Sequence, residues 1–258
     1  MNKKLCTIFF PSRGRLDLVE NLLKSIEKNT FNKEWIEVIS ICDQDDKETI
    51  DLFAKLSKEV TYDFYFICRK KKEELHLPND YYSLCLKLKS KSYFTWGIGN
   101  DTEIVTKNWD FNLYEGIKNT IPDLFDNIDN NKNYYYLIIN DNSHWDSTGN
   151  INKNNHQSCC FPILSGNLCD DSNETVPSEY PGWIGDVVLY DLMEKSPKCQ
   201  IINALDLIEI KHISHHSGTY KKDEVAYRVQ SATYSNTHHY HYDFDTLQKI
   251  YDKRKYLH

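Results

Sequence analysis

The stretch Tyr93-Phe-Thr-Trp-Gly-Ile-Gly-Asn-Asp-Thr-Glu103 decides how the rest of the chain is read. An apolar run leaves a Lys/Ser segment and stops abruptly at Gly99, Asn100, Asp101 and Glu103. That pattern predicts a buried strand over 92–98 that delivers acidic groups at its C-terminal end. Open α/β sheets bind ligands at that end of their strands. Asp101 is therefore the first candidate site residue, a hard oxygen ligand for a divalent cation. The competing reading is a polar β-turn, in which Gly, Asn and Asp are all common.

Upstream of this stretch, strands and helices alternate. Residues 5–10 read as a strand, Pro11-Ser-Arg-Gly-Arg15 as a loop, and 16–28 as a helix with Leu18, Leu22 and Ile26 on one face. A second strand over 35–42 runs into Asp43-Gln-Asp-Asp46, and a helix over 47–58 carries Ile50, Phe53 and Leu56. A third strand over 61–68 is followed by a charge run, Arg69-Lys-Lys-Lys-Glu-Glu74, with the character of a solvated loop. Residues 79–90 are expected to be a helix even though Leu84, Leu86 and Leu88 repeat every second residue. Parallel strands require a crossover there.

Downstream, Trp109, Leu113 and Ile117 give a helix one apolar face, and 121–133 reads as a loop or short helix. Tyr134–Ile139 is a strand ending in Asn140-Asp-Asn-Ser143, and the polar stretch 144–158 has the character of a lid. Phe161–Ser165 begins a compact element. Tyr180-Pro-Gly-Trp-Ile-Gly185 is a tight loop, and Asp186 opens a helix with Val188, Leu189, Leu192 and Met193 inward. Residues 200–210 read as strand-like and lead into Lys211-His-Ile-Ser-His-His-Ser-Gly-Thr-Tyr220. This alternation is α/β. No second apolar core or linker is visible, so one domain over 1–258 is expected, with 225–258 as a C-terminal extension packing on it.

Composition narrows the function classes. The chain has 258 residues, 40% apolar and 27% charged, with a formal net charge of −7 that disfavours broad nucleic-acid binding. Eight cysteines include no Cys-x-x-Cys pair, which argues against a zinc ribbon or dithiol redox motif. No signal-peptide pattern and no run long enough to span a membrane occur, so reduced thiols and a cytoplasmic location are expected.

Several polar groups fall at predicted strand or loop ends. Asp101, Glu103, His212 and His215 form a candidate ligand set, and a carboxylate–imidazole mixture suits Mn²⁺ or Mg²⁺ holding a diphosphate. His216 is an equally placed alternative, and each histidine also reads as an ordinary surface residue. Arg13 and Arg15 could clamp a phosphate or stack near a base, or simply be solvated. Asp43 could accept hydrogen bonds from a base or ribose, or cap a helix. Phosphate-loop, dinucleotide-fingerprint, nucleophile-elbow and His-Glu-x-x-His motifs are all lacking.

Taken in order, these residues resemble the GT-A glycosyltransferases, especially small family-2-like members. The resemblance covers roughly residues 5–225 and rests on Pro11-Ser-Arg-Gly-Arg15, Asp43, Gly99-Asn-Asp-Thr-Glu103, Thr106 with Trp109-Asp110, Gly185-Asp186 and His212. It implies a GT-A-like (Rossmann-like), mostly parallel central sheet with helices on both faces. It implies Pro11, Arg13, Arg15, Asp43, Asn100 and Asp101 around the nucleotide, and Asp101, Glu103, His212 and His215 around Mn²⁺ or Mg²⁺. Asp186 resembles the catalytic base of inverting members. The implied activity is metal-dependent transfer of a hexose from a nucleotide diphospho-sugar, a UDP-sugar first among them, to a hydroxyl of a glycan or other acceptor. A modified base in DNA also stays open as acceptor. Asn100 stands where relatives carry a first acid, which puts full metal binding in doubt. Two other readings compete: a non-catalytic glycan- or protein-binding module on this scaffold, and a nucleotidyltransferase.

Overall fold

The computed structural model describes residues 3–70, 78–127, 132–141, 159–175, 177–179, 185–213 and 244–258. The expected lid at 144–158, most of the tight loop at 180–185, and His215 and His216 lie outside them.

β1 (Lys4–Ser12), β2 (Ile36–Asp43) and β3 (Asp63–Arg69) run parallel and are connected by α1 (Leu16–Asn29) and α2 (Lys47–Leu56). α3 (Pro78–Leu88) then carries the chain back across β1, so that β4 (Ser92–Gly97) pairs parallel on its other side. β5 (Thr102–Ile104), α4 (Trp109–Thr120), α5 (Leu124–Asn127), β6 (Tyr134–Ile138), β7 (Ile163–Ser165) and α6 (Gly166–Ser172) follow. α7 (Gly185–Lys195), β8 (Cys199–Asn203), β9 (Ile210–His212) and α8 (Phe244–Lys253) complete the described elements. The main sheet has the order β3-β2-β1-β4-β7-β6-β8, with β7 antiparallel to both neighbours; β5 and β9 form a separate antiparallel ribbon.

Every position of β2 is buried, so both faces of the sheet are covered there, as a parallel sheet requires. Beneath β4 and α4 the fully buried indoles of Trp96 and Trp109 meet with ring centroids 5.4 Å apart. α4 buries the expected Trp109, Leu113 and Ile117.

Four differences from the sequence reading have physical causes. β1 runs two residues past Phe10, through Pro11. The Phe9 carbonyl faces β4, where it accepts the Ile98 N–H, whereas the Phe10 carbonyl faces β2 and accepts the Ser40 hydroxyl. Pro11 therefore turns its missing N–H toward β4, beyond the last β1–β4 pair, Phe9↔Gly97. α3 is a helix as expected, but its buried face is Tyr81, Tyr82, Cys85 and Leu86, while Leu88 is exposed. The every-second leucine spacing carries no structural meaning there. The strand-like run 200–210 is two strands in two sheets, split by a turn in which the Asn203 side chain accepts the Leu205 N–H. Finally, the compact element expected to begin at Phe161 opens with the antiparallel strand β7, Ile163–Ser165, inserted in the main sheet.

Candidate active site

The sheet reverses its build order between β1 and β4, and the crevice beyond such a switch point is where open α/β sheets bind ligands. Two loops meet there. One follows β1, with Gly14 (φ 63°) and Arg15 (φ 57°) both in left-handed conformation before α1 begins. The other follows β4 through Gly99, Asn100 and Asp101. The buried Asn100 joins them, donating to Ser12 Oγ at 3.4 Å while its Oδ1 lies 3.5 Å from Arg15 Nη1.

Asp101 sits between a cation and an imidazole. Its Oδ2 lies 3.3 Å from Arg15 Nη1 and its Oδ1 lies 3.7 Å from His212 Nε2. All three side chains are mostly covered, at 13% exposure for Arg15, 20% for Asp101 and 25% for His212. Two local features hold the carboxylate there. A Cβ at Gly99 would collide with Asp101 Oδ1, so any larger residue there would push the carboxylate out of this position. The β5–β9 ribbon places His212 opposite Thr102, and the Ile213 N–H donates to the Asp101 carbonyl at 2.7 Å.

The same ribbon removes Glu103 from the expected ligand set. Glu103 pairs with Lys211, and residues that alternate along a strand point to opposite faces. Glu103 therefore lies on the face away from His212. Among the described residues no group of three or more His, Cys, Asp or Glu side chains is clustered for a metal. Asp101 and His212 nonetheless make a hard oxygen–imidazole pair whose chemistry fits Mn²⁺ or Mg²⁺.

A second group of site side chains closes around Asp43 at the ends of β2 and β3. Asp43 is almost fully buried and accepts from Arg13 Nη1 at 2.8 Å and from the Tyr81 hydroxyl at 3.3 and 3.4 Å. Burial first, then the Asp43 carboxylate, raises the Tyr81 phenol, so it remains a donor. The Arg69 guanidinium stacks on the Tyr81 ring at 4.3 Å. Arg13 also forks onto Asp45, and the Gly14 N–H donates to Asp46 at 2.7 Å. The two arginines expected to act as a pair thus have separate places: Arg13 braces Asp43, and Arg15 faces Asp101. Pro11 is the next-to-last residue of β1, just before the turn that carries both arginines.

Asp186 lies in the first turn of α7, half-buried. Burial raises its pKa most; Asp141 raises it further, and bonds from the Val187 and Asp186 backbone N–H groups and the Cys160 thiol only partly offset this. Asp141 is fully buried after β6 and accepts the Phe161 N–H at 3.1 Å. Phe161 in turn sets its ring edge-on to His212, centroids 5.0 Å apart, and takes the Trp96 indole N–H on its carbonyl. One continuous set of contacts therefore runs from Asp101 through His212 and Phe161 to Asp141, beside Asp186. Tyr81, Arg69 and Phe161 were not singled out as site residues from sequence; Asp141, unlike them, carries a local signal, as a polar residue ending a strand.

No described protein family matches the chain, and no curated protein does. Solved structures do. S. aureus TarS, as its 1–349 fragment, aligns at 14% identity and a TM-score of 0.54, over 96% of this chain and 69% of that one; the longer TarS chain is covered to 43%. The same fragment is known with UDP and with UDP-GlcNAc. The mannosyltransferase PcManGT from Pyrobaculum calidifontis, in complex with GDP-Man and Mn²⁺, aligns at 10% identity and 0.55, over 99% of this chain and 70% of that one. GalNAc-T7 with UDP, GalNAc and Mn²⁺ aligns at 12% and 0.52, over 82% and 43%. At these identities the likeness is one of fold, and this chain has the GT-A-like α/β fold of these glycosyltransferases.

Proposed function

We propose that the protein transfers a sugar from a nucleotide diphospho-sugar to an acceptor hydroxyl, with a divalent cation and with inversion. The observation that carries this reading is Asp101 Oδ1 facing His212 Nε2 at 3.7 Å in the switch-point crevice. Asp101 and His212 would hold Mn²⁺ or Mg²⁺, which when bound neutralises charge on the leaving diphosphate. Arg15, already beside Asp101, is placed to contact the same diphosphate as a planar donor. Asp43, braced by Arg13 and Tyr81 and walled by Arg69, would take the base, with a UDP-sugar as donor. Structures of similar fold hold UDP, UDP-GlcNAc and GDP-Man, which supports a hexosyl donor.

Asp186 would receive the acceptor proton on a carboxylate oxygen as the new glycosidic bond forms. Its raised pKa makes the ionised form a stronger base than an ordinary aspartate. Inversion follows if the acceptor hydroxyl attacks in a single displacement. A nucleotidyltransferase would need the N-terminal loop amides for a triphosphate. Here the Gly14 N–H is already committed to Asp46, which weighs against that reading.

A turnover panel tests the proposal. UDP-, GDP-, CDP- and TDP-sugars are each incubated with the protein in Mn²⁺ or EDTA, and nucleotide diphosphate release is measured. Release from a UDP-sugar in Mn²⁺, abolished by EDTA and by Asp101→Ala, is expected. Bound nucleotide with no release from any donor would instead favour the non-catalytic binding module.

A further inference from the structure

All eight cysteines are free thiols. Two of them are placed unlike the rest. Cys42 on β2 and Cys68 on β3 are register partners, and their sulfurs lie 3.8 Å apart. Directly opposed residues on parallel neighbours have Cα atoms roughly 4.8 Å apart. That falls inside the roughly 4.4–6.8 Å range of natural disulfides. Closing the sulfurs to a bond of about 2.05 Å requires a contraction of about 1.8 Å, which side-chain rotation and a small shift between the two strands share. Cys42 is fully buried, whereas Cys68 sits half-buried on the edge strand of the sheet and is the more exposed of the two.

The pair also sits one residue from the group around Asp43 described above. The next register step is Asp43↔Arg69, and the Gln44 N–H donates to the Arg69 carbonyl at 2.8 Å. Arg69 stacks on Tyr81, and Tyr81 donates to Asp43. Any change in the β2–β3 spacing at Cys42 and Cys68 is therefore handed directly to these three side chains.

We infer that Cys42 and Cys68 are a redox modification site, closed to a disulfide by a low-molecular-weight disulfide such as oxidised glutathione, and that closure disturbs the Asp43 pocket. The exchange balances. The Cys68 sulfur attacks one sulfur of oxidised glutathione, breaking its S–S bond and releasing one glutathione thiol, which takes the Cys68 proton. The Cys42 sulfur then attacks Cys68 in this mixed disulfide, forming the Cys42–Cys68 bond and releasing the second glutathione thiol with the Cys42 proton. Two protein thiols lose two electrons, and one glutathione disulfide gains them. Burial, then the neighbouring Cys68, pushes Cys42 up to about 12, so Cys42 waits as a thiol and the more exposed Cys68 reacts first.

The effect on the pocket rests on the nucleotide reading proposed above; the disulfide itself does not. The test equilibrates the full chain with oxidised glutathione, blocks residual thiols with iodoacetamide, and maps disulfide-linked peptides. In parallel, UDP affinity in Mn²⁺ is measured before and after oxidation, and again after dithiothreitol. We expect a peptide joining Cys42 to Cys68, a mass loss of two hydrogens, a higher Tm, and at least a threefold loss of UDP affinity that dithiothreitol reverses. Cys68→Ser, at a half-buried edge position, is expected to abolish all of these while binding UDP as the reduced wild type does. Alkylation of both Cys42 and Cys68 after oxidation, or links confined to other cysteines, would overturn the site. A Cys42–Cys68 link with unchanged UDP affinity would overturn its coupling to the pocket. Failure of the reduced protein to bind UDP at all would instead count against the nucleotide reading.

Discussion

Asp186 differs from the other carboxylates of the crevice in its surroundings, and that difference can be measured. Burial and Asp141 raise its pKa above the ordinary aspartate value of about 3.9. The native state therefore binds this proton more tightly than the unfolded chain does. Its contribution to stability is complete below the unfolded value and is lost as pH rises through the folded one. Two results follow for Asp186→Asn at neutral pH. The kcat of transfer should fall by roughly 10²–10⁴, because a base is removed. The Tm should hold or rise, because an ionised, desolvated group is replaced by a neutral one. Steady-state kinetics with a calorimetric scan checks both, and near-normal turnover would remove Asp186 as the base. In the wild type, the acid limb of kcat should lie above the pH range of an ordinary aspartate.

Residues of this kind were legible in the sequence where a local pattern marks them. Asp101 and Arg15 end strands or open helices, and His212 ends a strand-like run. Tyr81 and Arg69 were not. Tyr81 sat in a helix of misleading leucine spacing, Arg69 headed a charge run, and each gains its role only by meeting Asp43 across the fold. That Glu103 lies on the other face of the ribbon from His212 was not legible, because two-residue spacing from Asp101 says nothing until β5 is known to pair with β9.

At the scale of elements, one buried cation ties the end of the C-terminal helix to two carboxylates of the body. Arg254, just past α8, is only 8% exposed and spans Glu174 at 2.8 Å and Glu179 at 2.7 Å. Ser196, at the end of α7, donates to the Leu257 carbonyl at 2.6 Å and fastens the last turn. Arg254→Met keeps the apolar stem but leaves two part-buried carboxylates without their cation. That should cost about 3 kcal/mol, or roughly 5–10 °C in Tm for a chain of this size. Burial pushes the Glu179 carboxyl up, but the hydrogen bond and charge of Arg254 outweigh it and leave the pKa lowered. The clamp's contribution is therefore present above the unfolded glutamate pKa of about 4.3 and is lost as pH falls through the folded value. Melting curves of wild type and variant should stand apart at pH 7 and converge in acid. An unchanged gap across that range would show that the ion pair is not what holds α8.

Elements long enough to show a period were legible: β1, β2, β4 and β6, and the helices α1, α2, α4 and α7. The three-residue strands β5, β7 and β9 were not, since so short a strand is defined by its partner, and Thr102 finds His212 far along the chain. The split of 200–210 was hidden for a related reason. Both halves are apolar, and the turn between them is marked only by Asn203 and Asp206.

For the whole molecule, the α/β class followed from the alternation of the first four strands with helices, whereas the reversal of build order between β1 and β4 that opens the crevice is visible only in the sheet. The insertion of antiparallel β7 between β4 and β6 had no signature in chain order. The fold matches glycosyltransferases at 10–14% identity, a level at which architecture persists while individual ligands do not, so the chemistry must be argued from the crevice itself. The central claim is that Asp101 and His212 share a cation that binds a nucleotide diphosphate. Calorimetric titration of UDP into the wild type, in Mn²⁺ and then in EDTA, addresses it directly, with Asp101→Ala alongside. The account predicts at least about tenfold tighter binding in Mn²⁺, equivalent to about 1.4 kcal/mol, and loss of that gain in Asp101→Ala. Equal affinity with and without Mn²⁺, or an undiminished Mn²⁺ gain in the variant, would contradict it.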